Sequence, residues 1–227
     1  MSDRRRSVRS MAKPSASMTV AVAPLTVDRL PDLAALFGTS STTRGCYCMW
    51  FLRPGRQVEA GWGDANRQAF EACTRAETLP MGLLAYVDGE PVGWCATGPR
   101  ARYTRAQRSP VLRQRDPAED DSVWLVPCFF IRRDFRRRGI MRELLRQAID
   151  LAAAHGASAI EGFPLAGDAR RGSADAYLGF EPLFAASGFT VVDRPTPHRV
   201  VMRLDLADGG RTVGRSRPRR AGKGSAG

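Results

Sequence analysis

The stretch Ile131-Arg132-Arg133-Asp134-Phe135-Arg136-Arg137-Arg138-Gly139-Ile140-Met141 decides how this chain is read. Before it lies a continuous apolar run, Val123 to Ile131, of the kind a strand buried on both faces requires. After it, Met141, Leu144, Leu145, Ala148, Ile149 and Ala152 recur at helical spacing and form one apolar face, so a helix is predicted from Ile140 to His155, with Gly156 closing it. Strand, basic loop, glycine, helix is an arrangement suited to a phosphate. Helix starts offer free backbone N–H groups and the positive end of the dipole. Gly139 lets the backbone approach closely, and Arg132, Arg133, Arg136, Arg137, Arg138 and Arg142 supply positive charge.

The phosphate ligand is narrowed by elimination. Gly-x4-Gly-Lys-[Ser/Thr] and Gly-x-Gly-x-x-Gly are both absent, which removes a P-loop and a dinucleotide fingerprint. The loop resembles the coenzyme A pyrophosphate signature of GNAT acetyltransferases, [Gln/Arg]-x-x-Gly-x-[Gly/Ala], with Arg136 first and Gly139 fourth. Met141 stands sixth, where the family has Gly or Ala. Downstream, Leu183-Phe184-Ala185-Ala186-Ser187-Gly188-Phe189 resembles the family's short helix ending in Gly-Phe, followed by a closing hairpin. Pro127, inside an otherwise central strand, removes a ladder donor and calls for a bulge.

The resemblance implies a mixed α/β fold. Its central sheet is mostly antiparallel, with a splayed central strand pair, and helices flank it. It implies acetyl-CoA as acyl donor, with Phe129, Phe130 and Ile131 along the pantetheine arm. Arg136, Arg137, Arg138, Gly139, Ile140 and Met141 would lie around the pyrophosphate. The function expected is transfer of an acetyl or other acyl group from coenzyme A to an amine of a small molecule or peptide. Two other functions remain open at this point: a nucleic-acid-associated protein of the same fold, using aminoacyl-tRNA, and a non-catalytic coenzyme A sensor. The resemblance further suggests a homodimer.

Amine acylation needs a neutral amine and an acid for the departing thiolate. Many GNAT enzymes use the tyrosine of a Leu-Tyr-x-x-x-Gly-Phe setting. Here Phe184 takes that place and cannot donate, so Tyr177, the nearest phenol, is the candidate acid. Glu161, on the strand expected beside the splayed one, is the candidate base. Glu119, Asp120 and Asp121 read as a solvated loop, and Cys128 as a small buried hydrophobe. Tyr47, Trp50 and Phe51 are candidates for the acceptor site.

Working outward, Thr19 to Val27 reads as a strand, Asp28 to Phe37 and Asp64 to Glu77 as helices, and Gly38 to Gly45 as a turn. Met81 to Val87, the Asp88-Gly89 turn and Pro91 to Thr97 form a hairpin. Residues 99–121 read as an Arg-rich loop, Ala157 to Phe163 as a strand, and Thr190 to Val192 with Arg199 to Leu206 as the closing pair. The domain is expected over 19–207, with basic disordered arms at 1–18 and 208–227.

The formal charge is +12 over 227 residues. Arg211, Arg215, Arg217, Arg219, Arg220 and Lys223 fall in the C-terminal tail, and Arg4, Arg5, Arg6, Arg9 and Lys13 in the N-terminal arm. Such arms attract polyanions without specifying a site. No apolar run approaches the roughly 18 residues of a membrane span, and mean hydropathy is −0.29. The N-terminus carries no apolar signal core, and the five cysteines are an odd number, so a cytoplasmic protein with reduced thiols is expected. Cys46-x-Cys48 has no second pair, so no metal is expected.

Overall fold

The computed structural model describes residues 18–113, 115–167 and 175–206, the side chains of 175 and 176 excepted. The arms expected at 1–18 and 208–227 therefore lie almost wholly outside the described residues. The strands are β1 (Val20–Pro24), β2 (Gly82–Val87), β3 (Glu90–Pro99), β4 (Val123–Ile131), β5 (Ala159–Gly162), β6 (Thr190–Thr196) and β7 (Arg199–Asp205). The helices are α1 (Leu30–Gly38), α2 (Ser41–Cys46), α3 (Gly55–Ala60), α4 (Asp64–Ala76), α5 (Thr104–Gln107), α6 (Ile140–Ala154) and α7 (Glu181–Ala186). One seven-stranded sheet runs in the order β1-β2-β3-β4-β5-β7-β6. Its neighbours are antiparallel except β4 and β5, which are parallel. The mixed, mostly antiparallel sheet flanked by helices is the fold expected from the sequence. The stretch Gly38 to Gly45 differs from expectation: most of it winds into α2, where Thr43 Oγ1 donates back to the Phe37 carbonyl at 2.9 Å. The loop at 99–121 likewise holds α5 and three short turns of 3-10 helix.

Alternating side chains divide the core. Leu84, Trp94, Ala96, Leu125 and Phe130 pack with Leu33, Phe37 and Phe70 of α1 and α4. Leu83, Ala85, Cys95, Trp124, Val126, Phe129 and Ile131 pack against Ile140, Leu144, Leu145 and Ala148 of α6. The β4 residues show a phase break. Trp124 and Val126 share a face with Phe129 and Ile131, three residues apart where alternation demands two. The same slip appears in the register: Ala96 faces Cys128 and Gly98 faces Leu125, so β4 carries one extra residue around Pro127. Proline cannot donate to the ladder, and a bulge is where a central strand accommodates it.

The bulge also ends the β4–β5 pairing. The parallel register runs from Val123↔Ala159 to Val126↔Gly162 and stops there. Beyond it the two strands part, and the rings of Phe129, Phe184 and Phe189 fill the base of the wedge, with centroids 6.2 and 5.0 Å apart. Gly162 is required at that point: a Cβ there would lie 2.8 Å from Phe184 Cζ. Phe184 is fully buried and has no solvent to move into. Gly162→Ala is expected to cost about 1–3 kcal/mol through overpacking, lowering the melting temperature by roughly 2–10 °C. A thermal melt unchanged from wild type would mean that the wedge is loosely packed.

Candidate functional site

The parted strands open a cleft of about 400 Å³, lined by Phe129, Ile131, Phe135, Arg136, Arg137, Gly139, Ile140, Met141, Arg142, Tyr177, Phe180 and Leu183. Its rim is the start of α6. Gly139 adopts φ +81° as the helix N-cap, and a Cβ there would meet no atom within 4 Å. Open space in front of a left-handed glycine at a helix start is what a ligand touching backbone amides requires. Arg137 is left-handed as well, at φ +61°. The strap between strand and helix is tied back by Arg136, whose Nε donates to the Ile131 carbonyl at 3.2 Å. Arg132 is engaged with Asp134 and Glu90. Arg133, Arg136, Arg137, Arg138 and Arg142 form no ion pair among the described residues, so their charge is available to an anion. Arg138 instead sits over the Phe135 ring at 5.2 Å.

Tyr177 closes the inner end. It belongs to a short turn, Asp175–Leu178, and its ring leans on Phe130 with centroids 6.1 Å apart. It borders the helix-start cleft, a broad groove with Arg132 and Arg133, and a third cleft of about 370 Å³. The third cleft is aromatic and sulfur-rich, with Phe37, Cys46, Cys48, Trp50, Phe51, Trp62, Trp94 and Cys128 among its lining. The Trp94 indole N–H donates to Cys48 Sγ at 2.9 Å. A hydrogen bond with Cys128 and burial together push the Cys48 thiol up, and burial raises Cys46 to about 12. Neither is therefore a ready thiolate nucleophile. Among the described residues no three His, Cys, Asp or Glu side chains group as metal ligands. No helix described is long and apolar enough to cross a membrane.

Residues 47–180, well over half of the chain, match the model of the acetyltransferase (GNAT) family. The chain belongs to the GNAT acetyltransferase family. Solved structures with a TM-score of 0.50 or more agree on the fold. A protein of Acinetobacter baylyi described as a putative acetyltransferase is 15% identical with a TM-score of 0.52, covering 86% of this chain and 96% of its own. An N-acetyltransferase of Staphylococcus aureus is 12% identical with a TM-score of 0.50, covering 82% and 98%. A PaiA N-acetyltransferase of Thermoplasma acidophilum, solved with coenzyme A, is 12% identical with a TM-score of 0.49, covering 83% and 100%. No curated protein matches the chain significantly.

Within this GNAT frame, the residues singled out from sequence fall into two groups. Phe129, Ile131, Arg136, Arg137, Gly139, Ile140, Met141 and Tyr177 line one cleft. Arg138 is beside it at Phe135, and Phe130 faces the opposite side of the sheet with Trp50 and Phe51. Met141 is half-buried at the cleft wall, so the departure from Gly or Ala leaves the helix start open.

Three expectations are corrected. Tyr47 does not line the aromatic cleft. It is 2% exposed and packs edge-on against Phe37 and Phe70, with burial raising its phenol to about 12. Glu161 is not poised as a base. It is 5% exposed and accepts from Arg100 Nη1 at 2.9 Å and Arg203 Nη1 at 3.1 Å. A carboxylate fixed by two guanidiniums is a structural anion, and it lies outside the clefts that Tyr177 borders. Glu119 and Asp120 are not merely solvated either: they pair with Arg203 at 2.9 Å and Arg100 at 2.6 Å. Sequence reading passed over Arg100 and Arg199. Arg100 sits in an Arg-rich loop whose composition does not distinguish it, and Arg199 in a strand whose other residues dominate its pattern.

Proposed function

We propose that the chain, over residues 19–207, is an N-acyltransferase that moves an acetyl group from acetyl-CoA to an amine of a small molecule or peptide. The observation that carries this reading is that two clefts meet at one phenol. Tyr177 lines both the cleft at the open, glycine-fronted start of α6, walled by Phe129 and Ile131 of β4, and the aromatic cleft beside Trp50 and Phe51. The backbone amides at Gly139, Ile140 and Met141, with Arg136, Arg137 and Arg142, bind the pyrophosphate. Phe129, Phe130 and Ile131 flank the pantetheine arm, which leaves the thioester at Tyr177. Trp50 and Phe51 hold the acceptor.

In the reaction an N–C bond forms, the C–S bond breaks, the amine gives up a proton and the thiolate takes one. Tyr177 supplies that proton, because its phenol is the side chain at the junction able to donate one to the leaving sulfur. Phe184, buried in the wedge, cannot. With Glu161 engaged elsewhere, water accepts the amine's proton.

Release of free coenzyme A thiol from acetyl-CoA, followed over a panel of amines, tests the reading. Tyr177→Phe is expected to lower kcat roughly 100-fold or more, leaving the Kd for acetyl-CoA within two- to threefold. Full kcat in the phenylalanine variant would remove Tyr177 as the acid. Saturable acetyl-CoA binding without turnover on any amine would remove the enzyme and leave a sensor.

A further inference from the structure

We infer that the acceptor is a small primary amine on an apolar, aromatic or alkyl body, and that Trp62 is a specificity-determining wall of its site. The inference rests on the acceptor reading of the aromatic cleft. That cleft, of about 370 Å³, has room for one such molecule. Rings wall it, from Phe37, Trp50, Phe51, Trp62, Trp94 and Phe130. The thiols of Cys46 and Cys48, kept protonated, add to the apolar lining. The Thr43 hydroxyl is engaged with the Phe37 carbonyl at 2.9 Å. Arg199, the charged residue of the described lining, has a partner of its own. Against such walls a hydroxyl-rich amine leaves polar groups without hydrogen bonds, which is costly. An apolar body instead exchanges water for matching surface. Its amine lies at Tyr177, the side chain this cleft shares with the cleft at the start of α6.

Trp62 makes the case specific. Among the described residues the exposed large aromatic side chains are Trp50, at 38%, and Trp62, at 51%, and both line this cleft. Exposed apolar surface gathered in one place marks a binding site. Trp62 is also held in position. The Gly45 carbonyl of α2 accepts from the Gly63 N–H and from Asn66 Nδ2, each at 2.9 Å. Asn66 is itself buried and donates to the Val58 carbonyl as well. These bonds pin the turn that carries Trp62 to α2. The indole then lies directly against Gly45, where any Cβ would overlap the ring, so the close approach needs glycine. A ring left half open to water, yet fixed by backbone bonds and a glycine, is a wall prepared for a ligand. Arg105 covers one face of the Trp50 ring at 3.7 Å, which leaves Trp62 the more open of the two indoles.

The test is a set of calorimetric titrations of the full chain with n-alkylamines from ethylamine to hexylamine, with phenethylamine and tryptamine, and with ethanolamine and spermidine as polar controls. Each is run with and without coenzyme A. In the alkyl series affinity is expected to rise about fourfold for each CH₂ that enters the cleft. Tryptamine or phenethylamine is expected to bind at least tenfold more tightly than either control. Trp62→Ala is expected to weaken the aromatic amines about tenfold or more and to leave the Kd for coenzyme A within twofold, since Trp62 lies outside the α6 cleft. Trp62→Phe should restore part of the loss. Gly45→Ala, which keeps the indole but displaces it, should weaken the aromatic amines as well. An alkyl series of flat affinity, or a control binding as tightly as the aromatic amines, would overturn the inference whatever the variants do. So would the absence of apolar-amine binding to a protein that binds coenzyme A, an outcome that leaves the donor site standing. A folded Trp62→Ala variant that binds tryptamine like wild type would remove Trp62 from the site. Apolar-amine capture without coenzyme A binding would support the acceptor class and count against the donor reading.

Discussion

Gly139→Trp is expected to abolish measurable acetyl-CoA binding, with affinity falling more than 100-fold. The residue caps α6 at φ +81°, and the space in front of its Cα is empty to 4 Å. Tryptophan fills that space and covers the N–H groups at the helix start. Hydrogen bonds to a charged group are worth about 1.5–3 kcal/mol each. Losing two removes about 3–6 kcal/mol, which is the stated factor in affinity. The left-handed backbone adds strain of about 1–2 kcal/mol for a residue with a Cβ. Gly139→Ala separates the two effects, since its methyl group meets nothing: affinity should drop less than tenfold, with a modest fall in melting temperature. Isothermal titration of acetyl-CoA into wild type and both variants decides it. A tryptophan variant that binds like wild type would place the phosphates elsewhere. A folded wild type that binds no acetyl-CoA would discard the donor altogether.

The second large effect concerns stability. Arg100 is completely buried, and its guanidinium is shared among Asp120 at 2.6 Å, Glu161 at 2.9 Å and the Asp116 carbonyl at 2.6 Å. Arg203 extends the group to Glu119 and Asp205. The cluster ties the loop after β3 to β5 and β7, beside the strand that parts at Pro127. Arg100→Met removes one partner of a buried pair and leaves Glu161 with half of its compensation. Breaking such a pair costs about 3–5 kcal/mol, and the melting temperature should fall by roughly 10 °C or more. Added salt should change this little, because buried charges are poorly screened. Arg100→Met combined with Glu161→Met should recover much of the loss, since both charges leave the interior together. A single variant melting within 2 °C of wild type would show that Arg100 is dispensable. A double variant no better than the single would show that the packing of Arg100, not its charge, holds the loop.

The fold was legible where local chemistry and global packing agree. The run Val123 to Ile131 reads as a doubly buried strand, and the spacing from Met141 to Ala152 as an amphipathic helix. Between them, Gly139 after three arginines marked the open start of α6. Pro127 announced the bulge, because no central strand tolerates a missing donor without one. In each case the cause lies within a few residues of the signal, and so it can be read along the chain.

What the tertiary structure alone decided involves partners far apart in sequence. Tyr47 and Trp50 look alike as neighbours in an aromatic patch, but the left-handed turn at Tyr47 and Cys48 sends one ring into the core and leaves the other at a cleft. Glu161 has the residue type and strand position of a base, and loses that role to Arg100 and Arg203, 61 and 42 residues away. The cleft beside Trp50 and Phe51 brings together Arg105, in the loop after β3, and Arg199, at the start of β7. The sequence by itself determined the central strands, the helix after Gly139 and the bulge, because backbone periodicity and a single proline encode them. The identity of the ionic partners is set by side chains that only the closed fold brings together.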